Sequence, residues 1–218
     1  MSGATRSDSS CPKGASVRAS SVARSMLPFR VPRGGRWGRH RRATSLFMTR
    51  APPYLRDRPF PADLDANPGV NNLSAYWAAK DAAVAHVFVN RSGKTFVGHN
   101  LRVPWRATKL ENRVIGEPSK GLFLHIELIQ PRRRDPADMN PRNDRIAPEP
   151  GFSAAQYEML GLLYVVASVR AGAWLVPAFH ASIDEEIPGG HDDPQNFRLA
   201  EFDRAVQVVL SADGGGGR

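Results

Sequence analysis

Cysteine is almost absent from this 218-residue chain: Cys11 is the only one, so no intrachain disulfide can form. There is no run of about 18 apolar residues, and hence no predicted transmembrane helix. The N-terminus also lacks the apolar core of about 7–15 residues that marks a secretory signal, residues 25–29 (SMLPF) being too short. Internal repeats are missing too. So is any charge excess on the part expected to fold. The formal net charge is +9, but residues 1–44 hold ten Lys/Arg against one acid, Asp8, whereas residues 45–218 hold twenty of each sign. The basicity belongs to the N-terminal stretch, and the remainder has no electrostatic footprint for DNA or RNA. No nucleic-acid partner is expected for the folded part.

What is present suits one domain with tails. Residues 1–43 are rich in Ser, Arg, Gly and Pro without apolar periodicity and read as a disordered basic tail; the same composition also fits an organelle transit peptide. Residues 44–211 form the expected domain, with 41% hydrophobic content across the chain to supply a core, and residues 212–218 are a flexible Gly-rich tail.

The first expected strand is 44–49, followed by a Pro-containing loop and a short helix over 70–80. Residues 84–90 read as a strand, 91–94 as a hairpin turn and 95–97 as its return. Residues 122–129 (LFLHIELI) carry the strongest strand signal. Period two puts Leu122, Leu124, Ile126 and Leu128 on one face and Phe123, His125, Glu127 and Ile129 on the other. His125 and Glu127 therefore share a face, about 7 Å apart. A polar pair there needs partners or a task, whereas His86 reads as a structural histidine. The charged stretch 132–145 reads as a solvated loop. Ser153 to Gln156 is a capping-box pattern opening a long helix, apolar nearly all round, that stops near Gly172. Residues 174–179 form a strand, placed near a sheet edge by Pro177, and 199–210 a helix that packs by one face. The fold class is thus α/β, a central mixed β-sheet flanked by helices.

The stretch 179–197 gathers His180, His191 and Asp193 around the turn Ile187-Pro188-Gly189-Gly190. A histidine at a strand end facing a carboxylate across a Gly-rich loop is half of a zinc site, since zinc takes imidazole nitrogen and carboxylate oxygen. Residues of a solvated loop would leave the same trace in the sequence.

Five segments taken together resemble one family. They are residues 85–93 (AHVFVNRSG), 104–107 (PWRA), 125–128 (HIEL), 151–157 (GFSAAQY), and Phe179-His180 followed by 190–194 (GHDDP). In this order they are similar to the zinc-dependent N-acetylmuramoyl-L-alanine amidases and the peptidoglycan recognition proteins of the same fold, over residues 45–206. The resemblance implies Zn2+ as cofactor and peptidoglycan or a muropeptide as partner; a monomer is expected. It implies His180 and Asp193 as zinc ligands, Glu127 as the general base, and His191 as the group that stabilises the oxyanion. Trp105 and Arg106 would line the groove wall. The reaction implied is hydrolysis of the amide between N-acetylmuramic acid and L-alanine. Export would put the protein at the cell envelope or outside the cell.

The chain also departs from the pattern. The family's first ligand is a histidine on the first strand, where this chain has Phe47, which cannot bind zinc. Three readings stay open at this point. The domain has lost the metal and binds muropeptide without cleaving it, the register assigned to the first strand is wrong or the change tolerated, or His125 replaces the missing ligand.

Overall fold

Alternation of apolar residues organises the centre of the molecule. The computed structural model describes residues 45–51, by backbone only, with 54–74, 85–140 and 143–213. These belong to a single compact unit, Arg41–Arg218. The predicted N-terminal tail, residues 214–218 of the predicted C-terminal tail, and the predicted helix beyond Ser74 lie outside the described residues; Ala212 and Asp213, expected in that tail, instead continue the last helix.

The main sheet has five strands: β1 (Ser45–Ala51), β3 (Val87–Val89), β4 (Thr95–Val97), β5 (Phe123–Ile129) and β7 (Val176–Phe179). Their order is β4-β3-β5-β1-β7, with β3 and β4 antiparallel and the other pairs parallel. β7 is an edge strand, as Pro177 requires. The expected strand over 84–90 is shorter, and the expected hairpin forms around it: Asn90 Oδ1 accepts the amides of Ser92 and Lys94, and Gly93 takes a positive φ. Two further short strands, β2 (Tyr54–Arg56) and β6 (Arg132–Arg133), pair in parallel. The stretch 132–145 is therefore not wholly a solvated loop. Arg132 is buried because Asp144 O and Gln130 Oε1 accept from its guanidinium.

One face of the sheet, with Leu124, Ile126, Leu128, Val87 and Val89, meets Leu160 and Leu163 of α2 (Ala154–Ala171) and Phe202 and Val206 of α4 (Leu199–Asp213). Burial of each such side chain stabilises by about 1.5–3 kcal/mol. Gly161 lets the two helices approach closely, since a Cβ there would lie 2.8 Å from the Ala205 carbonyl carbon. On the other face Phe88 and Ile129 pack with Val70 of the short helix α1 (Pro68–Asn71).

Ser153 and Gln156 form the predicted capping box, and Gly172 closes α2 in the left-handed conformation. Gln156 does more than cap. Its Nε2 donates to Val89 O and Ile129 O, tying the helix start to the ends of β3 and β5. The fold is mixed α/β, a central mixed sheet flanked by helices. None of the described helices is long and apolar enough to cross a membrane.

Candidate functional site

The sheet register relates two predicted residues. Thr49 of β1 pairs with Glu127 of β5, and Met48 pairs with Phe179 of β7. Phe179, which precedes His180, is therefore two strand spacings, or about 10 Å, from Ile126, which precedes Glu127. Glu127 is 6% exposed and His180 4%. Phe47 lies in register between His125 and Ala178.

β7 runs straight into a single helical turn, α3 (His180–Ile183), and the chain then reverses through consecutive turns. Asp184 N donates to His180 O, Ile187 N to Asp184 O, and Gly190 N to Ile187 O. Only glycine fits at position 190, where a Cβ would lie 2.3 Å from Asp184 O. The reversal returns His191 to Asp184, with Nδ1 and Oδ2 3.2 Å apart, and sets its ring against that of His180 at a centroid distance of 4.6 Å. Two residues later Asp193 reaches His180, with Oδ2 2.9 Å from Nδ1, while its carbonyl accepts the Ala181 amide.

Asp184 is one of two site residues that the sequence does not single out. Its side chain is fully buried, and it accepts the Leu110 amide on Oδ1 (3.0 Å) and the Lys109 amide on Oδ2 (3.2 Å). A signal was available: Asp184 follows His180 by four residues, which a helical turn places on one side. One ligand atom each from His180, Asp184 and His191 lie within 4.8 Å of one another, and among the described residues this is the group of three that does so.

His125 is directed elsewhere. Its Nε2 lies 3.4 Å from Glu111 Oε2, both side chains buried, and its ring stacks on His86 at 5.6 Å. His86 accepts the His125 amide on Nδ1 and donates from Nε2 to Val103 O, which makes it the neutral, structural histidine expected. Burial lowers its pKa to about 4, outweighing the Val103 contact.

Glu111 was also missed, though Thr108 and Glu111 form a reciprocal cap: the Glu111 amide donates to Thr108 Oγ1, and Glu111 Oε2 accepts the Thr108 and Ala107 amides. Burial pushes the Glu111 carboxyl up, but His125 and the two amides together hold it below its ordinary value. This cap opens the π-helical turn Leu110–Ile115, and the same segment supplies the amides that hold Asp184. Just before it, Trp105 stacks on His99 at 4.3 Å, and Arg106 pairs with Glu117 at 2.9 Å.

Of the predicted residues, then, His180, His191 and Asp193 come together, Glu127 lies on β5, two strands from β7, which leads into His180, and His125 joins Glu111 instead. For the zinc that the resemblance implies, Phe47 offers no donor atom, and Asp193 and His180 face each other. Two imidazoles and a carboxylate, from His180, His191 and Asp184, are a donor set that zinc accepts.

No family model matches the chain, and no curated protein matches it. Among solved structures it is similar to a selenomethionine derivative of AmpD, at 15% identity and a TM-score of 0.35, over 74% of this chain and 84% of that one. A likeness at that level bears on neither fold nor activity.

Proposed function

We propose that the domain is a metal-dependent hydrolase of the amide bond between N-acetylmuramic acid and L-alanine in peptidoglycan or its soluble fragments. The observation that carries this reading is a nearly buried carboxylate, Glu127 on β5, separated by β1 alone from β7, which leads into the buried, metal-competent His180. The five sequence segments that resemble the amidases supply the substrate class.

A divalent metal, when bound, lowers the pKa of water toward neutrality and stabilises negative charge. Glu127 takes the proton from the attacking water and passes it to the departing alanyl nitrogen. A C–O bond forms as the C–N bond breaks, and the products are the muramic acid carboxylate and a free L-alanyl amine. Burial of Glu127 excludes bulk water from that transfer. Trp105, its ring already held by His99, offers an apolar wall to the sugar, and Arg106, anchored by Glu117, a cation for the stem peptide.

One observation favours a second reading, muropeptide binding without cleavage: Phe47 stands in β1 where the family has a ligand. Glu127→Gln tests the pair. Turnover should be lost with muropeptide affinity kept. A variant that retained turnover would remove Glu127 as base, and a parent protein that bound muropeptide without cleaving it would favour the second reading.

A further inference from the structure

We infer that His180, Asp184 and His191 form a divalent-cation site, in which Asp193 orients His180 instead of ligating the ion. The ligand set is thus displaced from the one that the family resemblance implies: no first-strand residue takes part, and Asp184 enters.

Four observations converge. The three ligand atoms lie within 4.8 Å of one another. The 3.2 Å between His191 Nδ1 and Asp184 Oδ2 is close to the edge of a tetrahedral zinc site, about 3.3 Å for bonds of about 2.0–2.1 Å. An ion can therefore replace the proton that joins this pair with little movement of either side chain. His180 presents Nδ1 to Asp193, which fixes the ring; with Nε2 assigned to the cation this is the carboxylate–histidine–metal arrangement that holds many ligating histidines. Asp184, finally, is a buried carboxylate held from behind by the Lys109 and Leu110 amides. Burying a carboxylate is costly unless its charge is met, and the Asp184 carboxylate faces two imidazoles.

The support is rigid where it needs to be. The amides that hold Asp184 belong to the segment capped by Thr108 and Glu111, and Glu111 in turn is fixed by His125. His125, on this account, positions a ligand through Glu111 and is not itself one. His191 has 38% of its side chain exposed, which leaves a way in for the ion. The donor set of two nitrogens and one oxygen suits Zn2+ or another late first-row divalent ion better than Mg2+ or Ca2+, which prefer oxygen. It also takes His191 away from the oxyanion role implied by the resemblance.

As a statement about hydrolysis the inference rests on the amidase reading; as a statement about metal it stands on this geometry. The experiment separates the two. Untagged full-length protein is titrated with ZnCl2 by calorimetry and with CoCl2 by visible absorption, whose d–d bands report coordination geometry. One ion per chain is expected, with tetrahedral-type Co2+ bands. Asp193→Asn should weaken binding about 10–100-fold, and Asp184→Asn and His191→Ala should weaken it more. His191 lies at the rim, so His191→Ala keeps a folded protein, checked by circular dichroism, should Asp184→Asn fail to fold. Binding in this pattern by a protein that cleaves no muropeptide would support the site and remove the amidase reading. A folded parent that took up neither ion would overturn the site. So would a His191→Ala protein that bound as tightly as the parent.

Discussion

Asp184 and Leu110 are 74 residues apart in sequence, yet the Leu110 amide donates to Asp184 Oδ1 at 3.0 Å. This hydrogen bond, with its neighbour from Lys109, fastens the turn after β7 to the start of the π-helical turn. Asp184→Ala should leave both amides without their acceptor. At about 1–3 kcal/mol for each polar group left unsatisfied, the loss should be about 2–6 kcal/mol. Urea denaturation checks it, the midpoint falling while the slope stays constant. A loss below about 0.5 kcal/mol, typical of plain surface changes, would mean that the contact holds nothing together.

Gly190 controls the same turn from the other side. With a Cβ 2.3 Å from Asp184 O, Gly190→Ala must push the loop apart. The expected cost is about 1–3 kcal/mol, in the range of other overpacking changes, together with weaker Zn2+ binding, because His191 follows directly. Gly189→Ala is the control for loss of glycine as such: its φ of +72° would strain an alanine, but the new Cβ would meet nothing nearer than the Arg113 side-chain end at 4.0 Å. Equal metal affinity in Gly190→Ala and the parent would show that the turn does not set the site.

Much of this architecture is legible in the sequence, and the limit has a physical cause. Alternation in 122–129, the Ser153–Gln156 cap and Pro177 each act over a few residues, so their patterns survive in the chain as written, and the sheet, α2 and the edge strand follow from them. His180, His191 and Asp193 were found because one Gly-rich reversal joins them. Asp184 and Glu111 were passed over because their meaning depends on partners far away, Leu110 for the first and His125 for the second. The same holds for Arg132, whose burial depends on acceptors that the sequence does not align with it. His125 shows the converse: it shares a face with Glu127, as period two predicts, but its side chain is taken by Glu111.

Gln156 gives a test of the scaffold alone. Its Nε2 serves two strand-end carbonyls, and its Oε1 accepts the Ser153 amide. Gln156→Ala should cost about 3 kcal/mol or more, since three buried groups lose a partner at about 1–3 kcal/mol each, and thermal unfolding should shift to lower temperature. An unchanged midpoint would mean that α2 is held by apolar packing alone.

Acid stability follows from His86. Its pKa of about 4 in the folded chain lies below the ordinary 6.5, so between these values the unfolded chain binds a proton that the folded one does not. Stability therefore rises with pH through this window and falls on acidification from 6.5 to 4. The full shift corresponds to about 3 kcal/mol. His86→Gln should flatten the dependence between pH 6.5 and 4, measured by denaturant midpoints. The same slope in variant and parent would assign the acid sensitivity to other groups.

The central claim is that this domain cleaves the muramyl–alanyl amide. The most direct measurement is release of free L-alanyl peptide from a soluble muropeptide by Zn2+-supplied protein, followed by mass spectrometry. The account predicts release in proportion to protein, suppressed by a chelator and absent in Glu127→Gln. Intact muropeptide after incubation with folded, zinc-bearing protein would contradict it.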